Sequence, residues 1–488
     1  MKLSNILKNV NHKIIGEENS IEKEISHLSI DSRNIRKNTL FICIPGFRVD
    51  GHNFINHAAD SGACAFIVER EVEAPSGATI IQVENTRVAM ATIAANFFSN
   101  PQNSCRFIGV TGTNGKTSST FYIQAILMEA QQKTGIIGTV DTKIDNTPLN
   151  IDFATSTTPD SIELMQIIRH MADKNVSNIV MEVTSHALAL HKVEALQFDV
   201  SIFTNLTRDH LDLHGTMENY RDAKAKLFTM SKNCIINIDD PYGPHMAQIS
   251  TGKVTTYSID KDSHIRGKNI SYFPTGCSFQ VDIEGQTQEF YIPIPGKFSV
   301  YNALGVIGAA LVMAIPMETI KTALKNLNVV PGRIQRVDNN VGLTVIVDYS
   351  HTPDSLKSII EAVRDFTKKR VITVFGCGGD RDKAKRPLMG EIATTLGDYT
   401  ILTSDNPRTE NPSDILADIE AGAKGHNYTK IEDRYKAIQE AIKMATKDDT
   451  VIIAGKGHEN YQIFKHQTIP FDDVEVAKKC IGDLHGTN

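Results

Sequence analysis

The sequence predicts an α/β protein of three domains, and three observations lead to this prediction. The chain of 488 residues is longer than one hydrophobic core usually organises. Short β-branched runs alternate with segments of helical periodicity, which favours mostly parallel sheets. A glycine-rich stretch, Gly109–Thr117, joins one such run to a helical segment. We therefore predict a small N-terminal α/β domain (residues 1–103), a central phosphate-loop domain with a mostly parallel sheet (104–333) and a C-terminal Rossmann-like α/β domain (334–488).

In the N-terminal domain, three apolar runs and one periodic segment predict the secondary structure. The predicted strands are Leu40–Ile44, Ala65–Val68 and Thr79–Val83. A helix is expected over Arg87–Phe98, and Pro101–Ser104 is predicted to be the linker to the next domain.

The central domain alternates strands and helices and then changes character. Predicted strands are Arg106–Val110, Thr134–Ile137, Asn178–Glu182 and Val200–Phe203, and predicted helices are Ser118–Met128, Tyr301–Ala314 and Glu318–Leu327. Thr158, Pro159 and Asp160 have the sequence of a helix start, with a cap, a proline and an acid in the first turn. The alternating runs Val254–Ile259 and Phe279–Ile294, with a turn at Glu284–Gly285, predict a small antiparallel addition.

The C-terminal domain repeats the strand–helix alternation. Its predicted strands are Leu343–Val347, Val371–Phe375, Tyr399–Leu402 and Val451–Ala454. Ligands of doubly wound sheets bind at the carboxyl ends of the strands. The loops expected there are Asp348–His351, Gly376–Asp382, Ser404–Arg408 and Gly455–Glu459.

Composition and charge argue against several classes of protein. The net charge of −6 lacks the basic footprint of a nucleic-acid-binding protein. No apolar run approaches the ~18 residues of a membrane span, and the first residues lack the apolar region of a signal peptide. The seven cysteines form no C-x-x-C pair, which favours reduced thiols. We expect a cytoplasmic protein without membrane insertion, and a monomer is the working expectation.

The stretch Gly109–Thr117 carries the first chemical signal. A glycine-rich turn between a strand and a helix directs backbone N–H groups and the helix N-terminus at one anion. Lys116 would reach the terminal phosphates of a nucleotide, and the Thr117 hydroxyl would hold Mg²⁺. The usual pattern has glycine at the position of Val110, so the strict motif fails there. A chance Gly-Lys-Thr in a turn is the alternative, and the strand–helix context argues against it.

Two further stretches could supply metal ligands. Glu182 ends a buried-looking strand, where a carboxylate needs a cation, either Mg²⁺ shared with Thr117 or a core lysine or arginine. After the strand at Val200–Phe203, four candidate ligands fall within six positions: Asp209, His210, Asp212 and His214. A single histidine is more often structural, but this density beside a phosphate loop favours at least one ligand.

Two remaining features are ambiguous from the residues alone. Tyr220 and Lys224 share a face of a predicted helix, which composition alone would place at a solvated surface. Arg408 precedes a helix cap at Asn411 and is either a surface arginine or a bidentate clamp for a carboxylate.

Taken together, these stretches resemble the Mur ligases, ATP-dependent amide-forming enzymes of bacterial peptidoglycan synthesis. The resemblance is carried over almost the whole chain by Thr111–Thr117, Glu182–His186, Thr204–His210, Tyr301–Asn302 and Pro331–Arg333. Within the family, Asp31–Arg33, Thr157–Thr158 and Asp405–Arg408 are similar to the branch that extends UDP-N-acetylmuramoyl-L-alanyl-D-glutamate by one diamino acid.

The resemblance implies a role for each part of the chain. The uridine nucleotide and its sugar-peptide arm would be bound by Ile30, Ser32, Phe47, Arg48, Val49, Thr157, Thr158, Thr184 and Lys192. ATP would be bound by Gly112, Thr113, Asn114, Gly115, Lys116, Thr117, Ser118, Asn302, Arg333 and Asp348. The second substrate, meso-diaminopimelate, would be bound by Arg381, Asp405, Asn406, Pro407, Arg408, Gly455 and Glu459. This chain has Leu190 and Lys192 where close relatives have Gln and Arg, so it departs from the family's contacts to the arm at these two positions.

The resemblance also implies the catalytic and metal residues. Lys116, His210 and Lys224 would be catalytic, Thr117 and Glu182 would hold one Mg²⁺, and His210 and Lys224 a second. The family's matching lysine carries a CO₂-derived carbamate, which converts a cation into an anionic ligand. Because carbamylation requires a neutral amine, burial should lower the pKa of Lys224.

Two other functions remain open at this point. A nucleotide-gated regulatory or scaffold protein would use the same phosphate loop as a switch. A folylpolyglutamate synthetase also joins an amino acid to a carboxylate, but it would lack the N-terminal nucleotide-binding domain and the Asp405–Arg408 loop.

Overall fold

Three large β-sheets follow one another along the chain in the computed structural model. The structure describes residues 1–15, 21–46, 49–149, 157–328 and 330–485. The first contains α1 (Leu3–Ile6), β1 (Lys13–Ile15), β2 (His27–Ser29), β3 (Thr39–Ile42), α2 (Ile55–Asp60), β4 (Ala63–Val68), β5 (Thr79–Gln82) and α3 (Thr86–Phe97). Its described strands lie in the order β1-β5-β4-β3-β2, with only β1 antiparallel among them. The loops after β2 and β3 therefore leave the same edge of the sheet.

The second sheet begins with β6 (Arg106–Thr111) and carries the phosphate loop. Its first half contains α4 (Lys116–Glu129), β7 (Thr134–Ile137), β8 (Thr142–Ile144), β9 (Thr147–Pro148), α5 (Ser161–Asp173), β10 (Asn178–Glu182), α6 (Ser185–Ala189), β11 (Val200–Phe203), α7 (Leu211–His214), α8 (Met217–Thr229) and β12 (Asn233–Asn237). Its second half contains α9 (Gly243–Ile249), β13 (Lys253–Ser258), β14 (Ile265–Phe273), β15 (Gly276–Ile283), β16 (Gln286–Ile292), α10 (Lys297–Val312) and α11 (Met317–Lys325).

Among the described residues, the second sheet has the order β16-β15-β14-β13-β12-β11-β6-β10-β7-β8-β9. The strands from β14 to β7 are parallel, and both ends of the sheet are antiparallel. Strand β6 lies between β10 and β11, so the carboxyl ends of all three strands meet beside the phosphate loop.

The third sheet follows the segment at residues 330–334. Its elements are β17 (Gln335–Arg336), β18 (Thr344–Asp348), α12 (Pro353–Arg364), β19 (Val371–Phe375), α13 (Lys385–Leu396), β20 (Tyr399–Leu402), α14 (Pro412–Glu420), β21 (Tyr428–Lys430), α15 (Arg434–Met444), β22 (Thr450–Ala454), β23 (Tyr461–Ile463), β24 (Thr468–Pro470) and α16 (Asp473–His485). The described strands lie in the order β17-β18-β22-β19-β20-β21, parallel from β18 to β21. Strands β23 and β24 form a separate hairpin.

The three sheets are joined by continuous buried apolar packing. One cluster of buried side chains includes Leu304 of α10 and Ile359 of α12, and it joins the second sheet to the third. Another includes Ile93 of α3 and Met165 of α5, and it joins the first to the second. No helix within the described ranges is long and apolar enough to cross a membrane.

Two predicted features of the second sheet are wrong in detail. Helix α5 begins at Ser161 rather than at Thr158, because the Thr158 hydroxyl donates to the Glu182 carbonyl at 2.9 Å instead of capping the helix. The predicted strand at Val254–Ile259 exists as β13, but it is parallel to both of its neighbours. Strands β15 and β16, joined at Glu284–Gly285, form the expected antiparallel hairpin, and β14 is also antiparallel to β15.

Candidate active site

The phosphate loop connects β6 to α4, and the loop after β11 supports it. The Thr113 N–H donates to the Asn205 carbonyl and the Asn114 N–H to the Asn205 side-chain oxygen, each at 2.9 Å. A Cβ atom at residue 112 would lie 1.8 Å from the Thr204 hydroxyl, so only glycine fits there. Gly115 has φ +83°, a left-handed conformation that favours glycine directly before the helix. These contacts and glycines therefore fix the backbone of the turn directly before the N-terminus of α4.

Two lysines lie over this turn. The Lys116 Nζ donates to the carbonyls of Gly112 and Thr113, each at 2.9 Å. The Lys224 Nζ, from α8, donates to the Gly112 carbonyl at 2.9 Å and lies 4.7 Å from the Tyr220 ring centroid. Tyr220 and Lys224 are each only 1% exposed, so the surface-helix alternative is wrong.

The environment of Lys224 favours its neutral form. Desolvation, followed by the charge of Lys116, holds the pKa of Lys224 well below its usual value of 10.5, against an opposing effect of Asp209. The prediction that burial lowers this pKa is confirmed. A neutral amine is the form that reacts with CO₂.

Glu182 lies at the carboxyl end of β10 and faces α4. Its Oε1 accepts from the Thr117 hydroxyl at 3.0 Å and from the Thr139 N–H at 2.8 Å. No lysine or arginine of the described chain lies within ion-pair distance of Glu182, which removes the core ion-pair alternative there. A buried carboxylate beside a hydroxyl at a helix N-terminus is an oxygen donor set that suits Mg²⁺. These two residues therefore fit the expected ion.

A cluster of aromatic rings lies beside Lys224. His210 packs edge-on to His186, with ring centroids 4.9 Å apart, and His214 stacks on Tyr220 at 5.0 Å. His214 also shares a hydrogen bond of 2.9 Å with the Ser185 hydroxyl, so its Nε2 already has a partner within the chain. Desolvation lowers the pKa of His210 to about 4 despite the opposing Asp209, so its imidazole is neutral at pH 7. In the described parts of the chain, no three His, Cys, Asp or Glu side chains form a metal-binding group.

A cleft of about 680 Å³ lies between the second and third sheets. The Arg333 Nη2 donates to the Thr117 hydroxyl at 3.4 Å, and its guanidinium lies 4.8 Å from the Tyr349 ring centroid. The volume falls in the range of small-molecule sites. Seven of the predicted ATP-binding residues line it: Asn114, Gly115, Thr117, Ser118, Asn302, Arg333 and Asp348.

The residues predicted for the uridine nucleotide and its arm fall in two places. Ile30 and Val49 are 39% and 57% exposed, and they lie with Ser32 in loops that follow β2 and β3. Phe47 and Arg48 lie outside the described residues. The predicted arm residues lie near Glu182: Thr158 and Thr184 hydroxyls are 3.3 Å apart, Thr157 pairs with Thr139 at 3.1 Å, and Lys192 contacts Asp160 at 3.1 Å.

Two loops at the carboxyl edge of the third sheet bring most of the predicted amino-acid site together. The Asn406 amide donates to the Glu459 carboxylate at 2.8 Å, which joins the Asp405–Arg408 loop to the Gly455–Glu459 loop. A Cβ at Gly455 would lie 2.6 Å from the Asp405 carboxylate, so the loops also approach closely there. The half-buried Arg408 donates to the Gly379 carbonyl at 2.8 Å. Arg381, by contrast, is exposed and makes no hydrogen bond or ion pair with another described residue.

Sequence reasoning missed Lys456, which belongs to the Gly455–Glu459 loop and faces the other loop at Asn406. Its side chain is fully buried, and its Nζ lies 3.2 Å from both the Asn406 oxygen and the Glu459 carboxylate. Flanking glycines at φ +118° and +55° shape the loop that turns it inward. The signal that could have identified Lys456 as a site residue is its position in a glycine-rich loop directly after a buried strand. Glu459 thus already has one cationic partner from the chain itself.

A phosphate loop on a parallel sheet, facing a Rossmann-like sheet across a nucleotide-sized cleft, is the arrangement of a nucleotide-binding protein of the α/β class. Family models match in three segments: the Mur ligase family catalytic domain at residues 24–98, the Mur ligase middle domain at 110–310 and the Mur ligase glutamate ligase domain at 332–457. The chain belongs to the Mur ligase family.

Similar proteins match along the whole chain. UDP-N-acetylmuramoyl-L-alanyl-D-glutamate–2,6-diaminopimelate ligases of Clostridium perfringens and Clostridium tetani are 46% and 45% identical, covering 98% and 99% of this chain and 99% and 100% of theirs. A solved structure of a ligase with that name has a TM-score of 0.71 at 30% identity and covers 99% of both chains. Folylpolyglutamate synthase of Mycobacterium tuberculosis, at 16% identity and a TM-score of 0.62 over 82% of this chain and 96% of its own, shares the fold alone.

Proposed function

We propose that this chain adds meso-2,6-diaminopimelate to UDP-N-acetylmuramoyl-L-alanyl-D-glutamate at the expense of ATP, as a cytoplasmic step of peptidoglycan precursor synthesis. The observation that supports this proposal most directly is that the loop ending in Arg408 is joined to Glu459, through Asn406, at the strand ends of the third sheet. Relatives with this activity in their names, over 40% identical, align along the full length. The proposed domains are residues 1–103, 104–333 and 334–488, acting as a monomer.

The proposed reaction has two steps, which together form one amide bond. The glutamate carboxylate attacks the γ-phosphorus of ATP, and the bond to the β–γ bridging oxygen breaks, which releases ADP and leaves an acyl phosphate. The amino group of diaminopimelate then attacks the acyl carbon, loses a proton, and displaces inorganic phosphate. The acyl phosphate must be protected from water, which suits a cleft between two packed domains.

The chain's own residues have distinct parts in these steps. The N–H groups at the start of α4 would bind the phosphates, and Lys116 would neutralise charge that develops on the transferred phosphoryl oxygens. Arg333, already hydrogen-bonded to Thr117, would bring the third sheet to the same phosphates. Thr117 and Glu182 would hold Mg²⁺, with His210 and the carbamate of Lys224 at a second position. Bound there, the metal supplies positive charge to the phosphate oxygens.

Phosphate release from ATP tests this proposal. The purified protein should release phosphate at a substantial rate only with both the muramoyl dipeptide and meso-diaminopimelate present. Slow ATP turnover that no amino acid alters would indicate a nucleotide-gated switch instead. Turnover with a folate and glutamate would indicate a folylpolyglutamate synthetase.

A further inference from the structure

Beneath the two amino-acid loops lies a completely buried ion pair. Arg434 begins α15 and Asp473 begins α16, and both side chains have no solvent exposure. The Arg434 Nε and Nη2 donate to the two oxygens of the Asp473 carboxylate at 2.8 and 2.7 Å. This bidentate geometry fixes the plane and the position of the guanidinium.

The remaining donors of Arg434 bind the backbone of both loops. Nη1 donates to the Ser404 carbonyl at 3.4 Å, and Nη2 donates to the Ala454 carbonyl at 3.1 Å. Ser404 directly precedes Asp405, and Ala454 directly precedes Gly455. Strands β20 and β22 are not neighbours, since β19 lies between them. One guanidinium therefore reaches past the intervening strand β19 and connects the starting points of two loops that no backbone ladder joins.

We propose that Arg434, held by Asp473, is a positioning residue that sets the spacing of the Asp405–Arg408 and Gly455–Glu459 loops and so controls recognition of the incoming diamino acid. This inference rests on the proposed function, because it assigns the two loops to that substrate. Arg434 touches no substrate itself. It acts through the two carbonyls, and a lysine could not replace it because an ammonium lacks the planar fork.

Two arguments favour positioning over simple stabilisation. A buried ion pair is often no more stabilising than an apolar pair of the same volume, so stability alone does not account for it. Burial also opposes the charge of Arg434, whereas the carboxylates of Asp473, Asp405 and Glu459 raise its pKa, so the charge is balanced partly by the loops themselves.

A control pair lies at the opposite ends of β19 and β22, although its arginine is partly exposed (42%) where Arg434 is fully buried. Arg370 and Asp449 precede β19 and β22, and Asp449 is a fully buried carboxylate that accepts from Arg370 at 2.7 Å. The test compares Arg434→Lys and Asp473→Asn with Arg370→Lys and Asp449→Asn. For each folded variant, KM is measured for meso-diaminopimelate, for ATP and for the muramoyl dipeptide. Hydrogen exchange of residues 403–408 and 454–459 is measured without substrate.

We expect Arg434→Lys and Asp473→Asn to raise the KM for meso-diaminopimelate on the order of 10-fold or more, with less than about a twofold change for ATP. In both test variants, the backbone amides of the two loops should exchange hydrogen faster. A control variant with the same loss of melting temperature should not show this faster exchange. Equal effects in the controls, or equal changes for all three substrates, would overturn the inference. So would failure of both test variants to fold, because the pair would then serve the fold itself. If the unmodified protein releases no phosphate with diaminopimelate, the proposed function fails instead, and the exchange result still reports on the loops.

Discussion

Lys116 and Lys224 donate hydrogen bonds to one carbonyl oxygen, that of Gly112, each at 2.9 Å. The two side chains come from different helices, α4 and α8, and meet over the turn of the phosphate loop. After desolvation, the charge of Lys116 is the largest cause of the lowered pKa of Lys224. A carbamate on Lys224 would replace this repulsion with attraction. Desolvation also lowers the pKa of Lys116, against the opposing charges of Glu182 and Asp209. Under the proposed mechanism Lys116 would act as the cation and Lys224 as the amine that accepts CO₂.

Lys116→Ala should lower kcat on the order of 10²-fold or more. The ammonium lies on the carbonyls of the phosphate loop, so its removal takes away charge stabilisation at the transferred phosphate without leaving a buried carboxylate unpaired. Phosphate release at saturating substrates measures the effect, and an unchanged melting curve shows that the variant is folded. Near-normal turnover by the folded variant would remove this loop from the mechanism.

Lys224→Ala should be nearly inactive, and short carboxylic acids added to the assay should restore part of the activity by replacing the carbamate. Lys226, two residues further along α8 but exposed, provides the control, and Lys226→Ala should keep normal activity. Native mass spectrometry of the unmodified protein should show one added CO₂ that Lys224→Ala lacks. An active enzyme that carries an unmodified amine at Lys224 would contradict the carbamate.

The sequence predicted the parallel strands well and the buried cations poorly. Strands β10 and β11 have the predicted bounds, because short apolar runs bounded by polar residues are typical of buried strands. Thr158 misled the helix prediction because its local capping signal competes with a hydrogen bond to the distant Glu182. Lysine and arginine are ordinarily exposed, so the burial of Lys456 and Arg434 depends on partners 50 and 39 residues away that spacing does not reveal.

Glu410→Gln should lower the melting temperature at neutral pH. This difference from the unmodified protein should disappear in acid. The Arg386 guanidinium lowers the pKa of Glu410 from 4.5 to about 2. Since the folded pKa is the lower one, the stabilisation is complete above pH 4.5 and is lost as the pH falls toward about 2. Melting temperatures of both proteins between pH 7 and pH 3 measure the difference, with the more exposed Glu391→Gln as control. A difference that stays constant across this range would show that the ionised carboxylate contributes nothing.

We expect the choice between meso-diaminopimelate and L-lysine to depend on Arg408. The two amino acids share one head group and a distal amine, but only diaminopimelate carries a second carboxylate beside that amine. Arg408 would offer that carboxylate a guanidinium, which already donates to the Gly379 carbonyl at 2.8 Å. Glu459 would accept the distal ammonium, with Asn406 and Lys456 fixing its carboxylate. Lysine would leave Arg408 without an anionic partner inside the site, which disfavours lysine binding.

We therefore expect kcat/KM for meso-diaminopimelate to exceed that for lysine by roughly 10³-fold or more. Arg408→Ala should reduce this ratio chiefly by impairing diaminopimelate use, because lysine makes no contact that the variant removes. Arg381, which is exposed and lies near the same loop, offers a comparison, since Arg381→Ala tests whether any nearby guanidinium suffices. Steady-state kinetics of the three proteins with both amino acids decides the matter. Equal or better use of lysine by the unmodified enzyme would show that Arg408 does not set the specificity.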